Sequence, residues 1–230
     1  MKNKKIHLLI TTANLPENIC NEIYGSGYNY DQRMEDYKKS FELVNVFKEH
    51  FSTITILETV SKEKVDFLHE YGFIVYYSSV SNYFNNKGLN EIDHINNYLI
   101  DNNYCIDDND IIIKLSGRYF IENMNILDYI NKNYNLIVKD DSDIYKSGLG
   151  VHSFYYAISK KLFFDFYIFV DLDFDKKDYK KDVCIEWELK NFAKTLLDSN
   201  VCCIIPPSDR IGVITNTYYK DINSRIIERV

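Results

Sequence analysis

Four residues within a five-residue span carry the strongest chemical signal in this chain: Lys114, Ser116, Gly117 and Arg118 follow directly on the apolar run Ile111-Ile112-Ile113. Two cations, a hydroxyl and a glycine at the end of a buried strand compose a site for an anion, most naturally a phosphate. The guanidinium offers a planar fork for bidentate contact, and glycine lets a ligand approach the backbone closely. The competing reading is a strand, a turn glycine and two solvated cations, with strand alternation turning Lys114 towards solvent or a buried carboxylate. Arg33 and Lys87 are the other cations next to expected strand ends. A second kind of chemistry needs a carboxylate to take a proton from a hydroxyl. Glu186, at the start of an amphipathic segment, is the first candidate. Its ordinary explanation is a helix N-terminal acid favoured by the macrodipole. His152, beside the glycines of Gly148-Leu149-Gly150, and Asp143 are the runners-up, although a lone His is more often a hydrogen-bonded structural residue. Tyr28, Tyr30 and Tyr83 are candidates to stack on a base or sugar, a weak signal in a chain with 20 Tyr. Trp187, the single Trp, floors an acceptor or fills the core. Its flanking Glu186 and Glu188 on a helix favour core.

These residues need elements to hold them. Apolar and β-branched runs predict strands over 6–12, 53–60, 73–80 and 111–115. Between them, helical spacing predicts helices over 33–50, 62–71 and 86–103, the second capped by Ser61 and stopped by Gly72. Strand, helix, strand in strict alternation with short connections argues for right-handed βαβ units and a mainly parallel sheet flanked by helices, an α/β fold. In such sheets ligands bind beyond the carboxyl ends of the strands. The second half is less regular: a short helix over 125–133, a strand over 136–139, an alternating strand over 151–159, an aromatic helix over 159–169, an amphipathic helix over 184–197 and a strand over 201–205. No repeat or linker divides the chain, so a single domain over 1–230 is expected, with a nucleotide-binding half over 1–121 and an acceptor-side half over 122–230. No Gly-x-Gly-x-x-Gly or Walker-type loop follows the first strand, which disfavours dinucleotide and P-loop chemistry.

With 230 residues, 46% hydrophobic, the chain can bury one sizeable core, and a formal net charge of −7 argues against nucleic acid as a partner. The five cysteines, Cys20, Cys105, Cys184, Cys202 and Cys203, show no metal-ligand spacing and read as reduced thiols in a cytoplasmic protein. The basic start and apolar residues 6–10 lack the length and cleavage site of a signal peptide, and no stretch approaches the ~18 apolar residues of a transmembrane segment.

In order and spacing, these motifs resemble the GT-A fold of nucleotide-sugar-dependent glycosyltransferases. Ile10-Thr11-Thr12-Ala13 resembles the end of the first strand, where that family holds the nucleotide. Arg33 and Ser40 lie on the first helix, which in that family runs beneath the diphosphate. Leu57-Glu58-Thr59-Val60 resembles the end of the second strand, where an acidic residue meets base or ribose. Asn86-Lys87-Gly88-Leu89-Asn90-Glu91 resembles the Asn-x-Gly turn before the third helix. Cys184-Ile185-Glu186-Trp187-Glu188-Leu189 resembles the acidic motif that supplies the base in inverting members. Lys-Leu-Ser-Gly-Arg-Tyr is similar to a motif of small bacterial and viral sugar transferases. The resemblance is firm to about residue 121 and looser afterwards. It implies a nucleotide-diphosphate sugar donor bound by Thr11, Thr12, Ala13, Arg33, Glu58, Asn86, Lys87, Gly88, Lys114, Ser116 and Gly117. It further implies transfer to a hydroxyl acceptor, a glycan, a lipid-linked sugar or a surface polysaccharide, with Glu186, Arg118 and His152 as catalytic candidates.

One departure concerns metal. Family members end the fourth strand with Asp-x-Asp, which holds Mn²⁺ or Mg²⁺ against the diphosphate; here the place reads Ser116-Gly117-Arg118. Asp141, Asp143, Asp171 and Asp173 have the right spelling in the wrong place and read as solvated loop acids. Lys114 and Arg118 would repel a cation, so no metal ligand is assigned and metal-independent donor binding is expected, with Mn²⁺ or Mg²⁺ held by Asp141, Asp143, Asp171 or Asp173 folded back as the alternative. Two other classes remain open: a sugar nucleotidyltransferase, although residues 11–16 lack its glycine-rich basic loop, and a non-catalytic nucleotide-sugar-binding module.

Overall fold

A computed structural model describes residues 4–14, 30–81, 86–140, 150–170, 184–206, 208–209, 211 and 213–215. In chain order its elements are β1 (Ile6–Thr12), α1 (Tyr30–Val46), β2 (Thr53–Glu58), β3 (Ile74–Tyr77), α2 (Lys87–Asp101), β4 (Ile111–Ser116), β5 (Tyr119–Ile121), α3 (Ile126–Asn131), β6 (Leu136–Lys139), β7 (Tyr155–Ser159), α4 (Lys160–Val170), α5 (Ile185–Thr195), β8 (Cys202–Ile205) and β9 (Val213–Thr215). Seven strands form one sheet in the order β3-β2-β1-β4-β7-β6-β8. β1 pairs in parallel with both β2 and β4, so the first and fourth expected strands are neighbours. Only β7 runs against the rest, antiparallel to β4 and to β6. β5 and β9 form a separate antiparallel pair that the sequence pattern did not announce.

Period-two alternation explains the layers. Leu8, Ile10, Ile54, Ile56, Ile113 and Leu115 face α1 and α3 on one side of the sheet. Leu9, Leu57, Ile112, Tyr156 and Ile158 face α2, α4 and α5 on the other. Parallel strands covered on both faces read as continuous apolar runs, which is what 111–113 does. The alternation also sends Thr11 and Lys114 to the α2 side of the sheet. Chain order leaves β1 for β2 on one side and returns, after β3 and α2, to β4 on the other. The crevice between the carboxyl ends of β1 and β4 is therefore the switch point where open α/β sheets bind ligands.

Several local expectations are corrected. Residues 62–71 hold only a 3-10 turn, Asp66–His69, in which Leu68 alone is buried. Val65, Phe67 and Tyr71 pack only partly against the core, and a ten-residue segment is too short to hold a helix by its own propensity. Ser61 does not cap it: its backbone N–H donates to Glu58 Oε1 at 2.9 Å and its hydroxyl donates to Glu63 O at 2.9 Å. β3 stops at Tyr77, which pairs with Glu58, the last residue of its one partner β2. The strand expected over 151–159 begins at Tyr155, with Val151 only bridging to Asp140. Trp187 is 46% exposed. Buried Ile185, Leu189, Phe192 and Ala193 set the inner face of α5, and Trp187 lies about 200° round the helix from Ile185. No described helix is long and apolar enough to cross a membrane. Asp141, Asp143, Asp171, Asp173, Tyr28, Tyr83, Gly148 and Leu149 lie outside the described residues.

Candidate active-site cleft

A cleft of about 430 Å³ lies along the carboxyl ends of β1, β2 and β4, between the first turns of α2 and α5. Its wall includes Thr11, Thr12 and Ala13 from β1, Arg33 from α1, and Asn86, Lys87 and Gly88 from the start of α2. Ser116, Gly117 and Arg118 follow β4, and Glu186 opens α5. Eleven of the fourteen positions expected at a site thus share one cavity. Two glycines make the geometry feasible. A Cβ on Gly88 would sit 2.7 Å from Ile185 Cγ2, so the start of α2 can meet the start of α5 only without a side chain there. A Cβ on Gly117 would sit 2.9 Å from the Tyr37 ring and 3.0 Å from Thr12 Cγ2.

Local bonds fix the wall. Asn86 caps α2, its side chain accepting from Leu89 N at 3.1 Å. Such a cap prepares a helix N-terminus whose dipole favours anions. Arg33 is 3% exposed, and its Nε donates to Ala13 O at 3.2 Å and to the Tyr37 hydroxyl at 3.1 Å. That hydroxyl also accepts from Ala13 N at 3.0 Å, and burial pushes its pKa up. Lys87 is exposed and Arg118 half-buried. Across the cleft, Glu186 Oε1 accepts from Ser153 Oγ at 2.5 Å and Oε2 accepts from Cys184 Sγ at 3.1 Å. Burial, then the bond to Glu186, raises the Cys184 thiol to about 11, so it stays a donor at neutral pH.

Three expected site residues stand off the cleft wall. Glu58 is 0% exposed and organises the loop after β1 and β2, accepting from Asn14 N, Val60 N, Ser61 N and Thr12 Oγ1 at 2.8–3.1 Å. Lys114 is 1% exposed, and its Nζ donates to Ser116 Oγ at 2.7 Å and Ser153 O at 2.8 Å, with Glu91 Oε2 at 2.9 Å. Of the orientations weighed from sequence, the one towards a carboxylate is adopted, although that carboxylate, Glu91, is only partly buried; a central strand covered on both faces offers Lys114 no route to water. His152 is 2% exposed, edge-on to Phe154 at 4.6 Å between centroids, with its backbone N–H held by Lys139 O at 2.8 Å. Ser40 likewise bonds Tyr119 O at 2.8 Å, tying α1 to β5.

The cleft also holds residues that sequence reading passed over: Tyr37, Glu91, His94, Ser153 and Cys184. Lys87, Glu91 and His94 recur at helical spacing on α2, a polar stripe beside the apolar one, and that spacing was the available signal. His94 is 0% exposed, its Nδ1 2.6 Å from Ser78 Oγ. Burial, helped by nearby Lys62, lowers its pKa to about 4.

A divalent cation at the end of β4 was tested against these side chains. The carboxylates on the wall are Glu91 and Glu186. Glu91 is already paired with the Lys114 ammonium and bonded by Thr11 Oγ1, and Glu186 with Ser153 and Cys184. Among the described residues no three His, Cys, Asp or Glu gather as a metal site. With the Lys114 ammonium already on Glu91 to oppose a second cation and Glu186 the one other carboxylate on the wall, the described residues do not fit a hard cation here.

No protein-family model matches the chain. No curated protein matches it. Among solved structures it is similar to a CTP:phosphocholine cytidylyltransferase from Streptococcus pneumoniae, at 12% identity and TM-score 0.47 over 92% of this chain and 93% of that one. It is also similar to a protein of Desulfovibrio desulfuricans assigned as a nucleotide-diphospho-sugar transferase, at 8% identity and TM-score 0.45 over 89% and 80%. A protein of Aquifex aeolicus matches at 11% identity and TM-score 0.44 over 82% and 83%.

Proposed function

We propose that the protein is a glycosyltransferase that moves a sugar from a nucleotide-diphosphate donor to a hydroxyl acceptor with inversion. The observation that carries this reading is the sharing of one switch-point cleft by Arg33, Lys87 and Arg118 with Glu186. Glycosyl transfer needs both: fixed positive charge where the diphosphate leaves, and a base where the acceptor hydroxyl loses its proton. The three cations and the capped start of α2 neutralise the diphosphate. Arg33 is held rigid by Ala13 and Tyr37, so it loses little freedom on binding. Glu186 accepts the acceptor proton, oriented by Ser153 and Cys184. Loss of the diphosphate and attack of the hydroxyl on the opposite face of the sugar carbon give the inverted product. No step is routed through a metal. The acceptor is a glycan, a lipid-linked sugar or a surface polysaccharide.

A thermal-shift screen of nucleoside diphosphates, nucleotide sugars and nucleoside triphosphates, each with manganese and with excess chelator, tests the reading. A ligand that binds only the folded protein raises its apparent stability by mass action. The expected result is stabilisation by one nucleoside diphosphate and its sugar conjugate, unchanged by chelator, followed by slow release of that diphosphate on incubation. Stabilisation by a triphosphate, with pyrophosphate release in the presence of a sugar phosphate, would make the protein a nucleotidyltransferase. Binding of the sugar nucleotide with no turnover towards water or any acceptor would make it a binding module.

A further inference from the structure

The buried Lys114 and the half-buried Glu91 make a unit that the proposed chemistry has not used. Glu91 sits in the second turn of α2 and lines the cleft, its side chain 25% exposed. Lys114 Nζ holds Oε2 at 2.9 Å from below, and Thr11 Oγ1 donates to Oε1. A carboxylate has about four acceptor sites, so these two bonds fix its plane without exhausting it. The exposed quarter of the side chain gives onto the cleft. What such a group can take is narrow. It repels phosphate, and the ammonium beside it repels metal ions. Neutral hydroxyls remain. Lys87 lies four residues earlier on the same helix face, about 6 Å along the axis. That is the reach from a terminal phosphate to the ring hydroxyls of an attached sugar.

We infer that Glu91 is a specificity-determining residue that accepts hydrogen bonds from hydroxyls of the donor's sugar, and that Lys114 is a positioning residue that aims it. This rests on the donor being a nucleotide-diphosphate sugar. The cleft is then divided: Arg33, Lys87 and Arg118 take the diphosphate, and Glu91 reads the sugar. Sugars that lack a hydroxyl at the position facing Glu91 leave the carboxylate's remaining acceptor sites desolvated without a donor and are discriminated against.

Calorimetric titrations compare wild type and Glu91→Gln with UDP, GDP, CDP and ADP and with their hexose conjugates. For the nucleotide that binds, the expected result is diphosphate affinity within twofold of wild type and sugar-nucleotide affinity lowered about tenfold or more, the usual loss when a charged acceptor is removed. If Glu91→Gln does not give a cooperative melt, Glu91→Asp is read instead. It keeps the negative charge for Lys114 and withdraws it from the cleft by one methylene, and the same ratio decides. Equal loss for the diphosphate and its conjugate, or no loss for either, overturns the role of Glu91 and leaves the transferase reading standing. No binding of any of these ligands to wild type overturns both.

Discussion

The ion pair under the cleft supports a double-mutant cycle whose outcome follows from burial. Lys114 and Glu91 side chains are 2% and 25% exposed, with Nζ and Oε2 2.9 Å apart. Glu91→Leu leaves an ammonium inside the sheet face with only Ser116 Oγ and Ser153 O, at 2.7 and 2.8 Å, to receive it. Breaking a buried pair from one side costs about 3–5 kcal/mol. Lys114→Met leaves the carboxylate instead, and water can reach that one. Its cost should be smaller, roughly 2–3 kcal/mol, mostly for the two oxygens deprived of a donor. The double variant removes both charges, so it should cost no more than Glu91→Leu alone, which is a coupling of about 2 kcal/mol or more. The bond from Thr11 is lost in both arms that lack Glu91 and cancels. Urea midpoints with unchanged slopes provide the measurement. Additivity within about 0.5 kcal/mol, the behaviour of independent sites, would refute the pairing.

Glu186→Gln should fold and bind donor normally but lose about 10²–10⁴-fold in turnover, the range for a general base; near-wild-type transfer would remove the role from this residue. Arg33→Ala and Lys87→Ala should each weaken nucleoside diphosphate binding by about 1–3 kcal/mol in calorimetry, and unchanged affinity in both would displace the diphosphate from this wall. Gly117→Ala places a methyl 2.9 Å from Tyr37, a ring that is 2% exposed and stacked on Phe41 and Phe67. Overpacking of about 1–3 kcal/mol should lower the urea midpoint, and a midpoint equal to wild type would show that Tyr37 yields. His94 has its pKa lowered to about 4 in the fold, against about 6.5 when unfolded, so the unfolded chain binds the extra proton. Its contribution is complete above pH 6.5 and is lost as pH falls towards 4, by roughly 2–3 kcal/mol. The stability difference between wild type and His94→Gln, followed by urea unfolding from pH 7.5 to 4.5, should shrink on acidification; a difference that grows would reverse the sign.

The sequence determined the frame. The uninterrupted apolar run 111–113 read as a buried strand, and the alternation with helical segments argued for a mainly parallel sheet, while the pairing of β1 with β4 came from the structure. The sequence also placed Arg33, Asn86, Lys87, Gly88, Gly117, Arg118 and Glu186 at strand ends and helix starts, the positions that meet in the cleft. These are local properties, set by residue type, period and spacing. The corrections came where partners from distant segments decide. Residues 62–71 have enough helical character to be read as a helix, but the fold buries only Leu68 among them, with Val65, Phe67 and Tyr71 packed partly against the core. Lys114 carries the same charge as Arg118 four residues later, yet the pleat and the carboxylate of Glu91, 23 residues away in sequence, turn it into the floor of the site. Glu58 reads as a ligand contact until the loop amides that converge on it are seen. Whether a charged side chain binds a ligand or serves as that ligand's scaffold depends on which groups from elsewhere in the chain reach it first. That is a property of three-dimensional packing, and only the tertiary structure decided it.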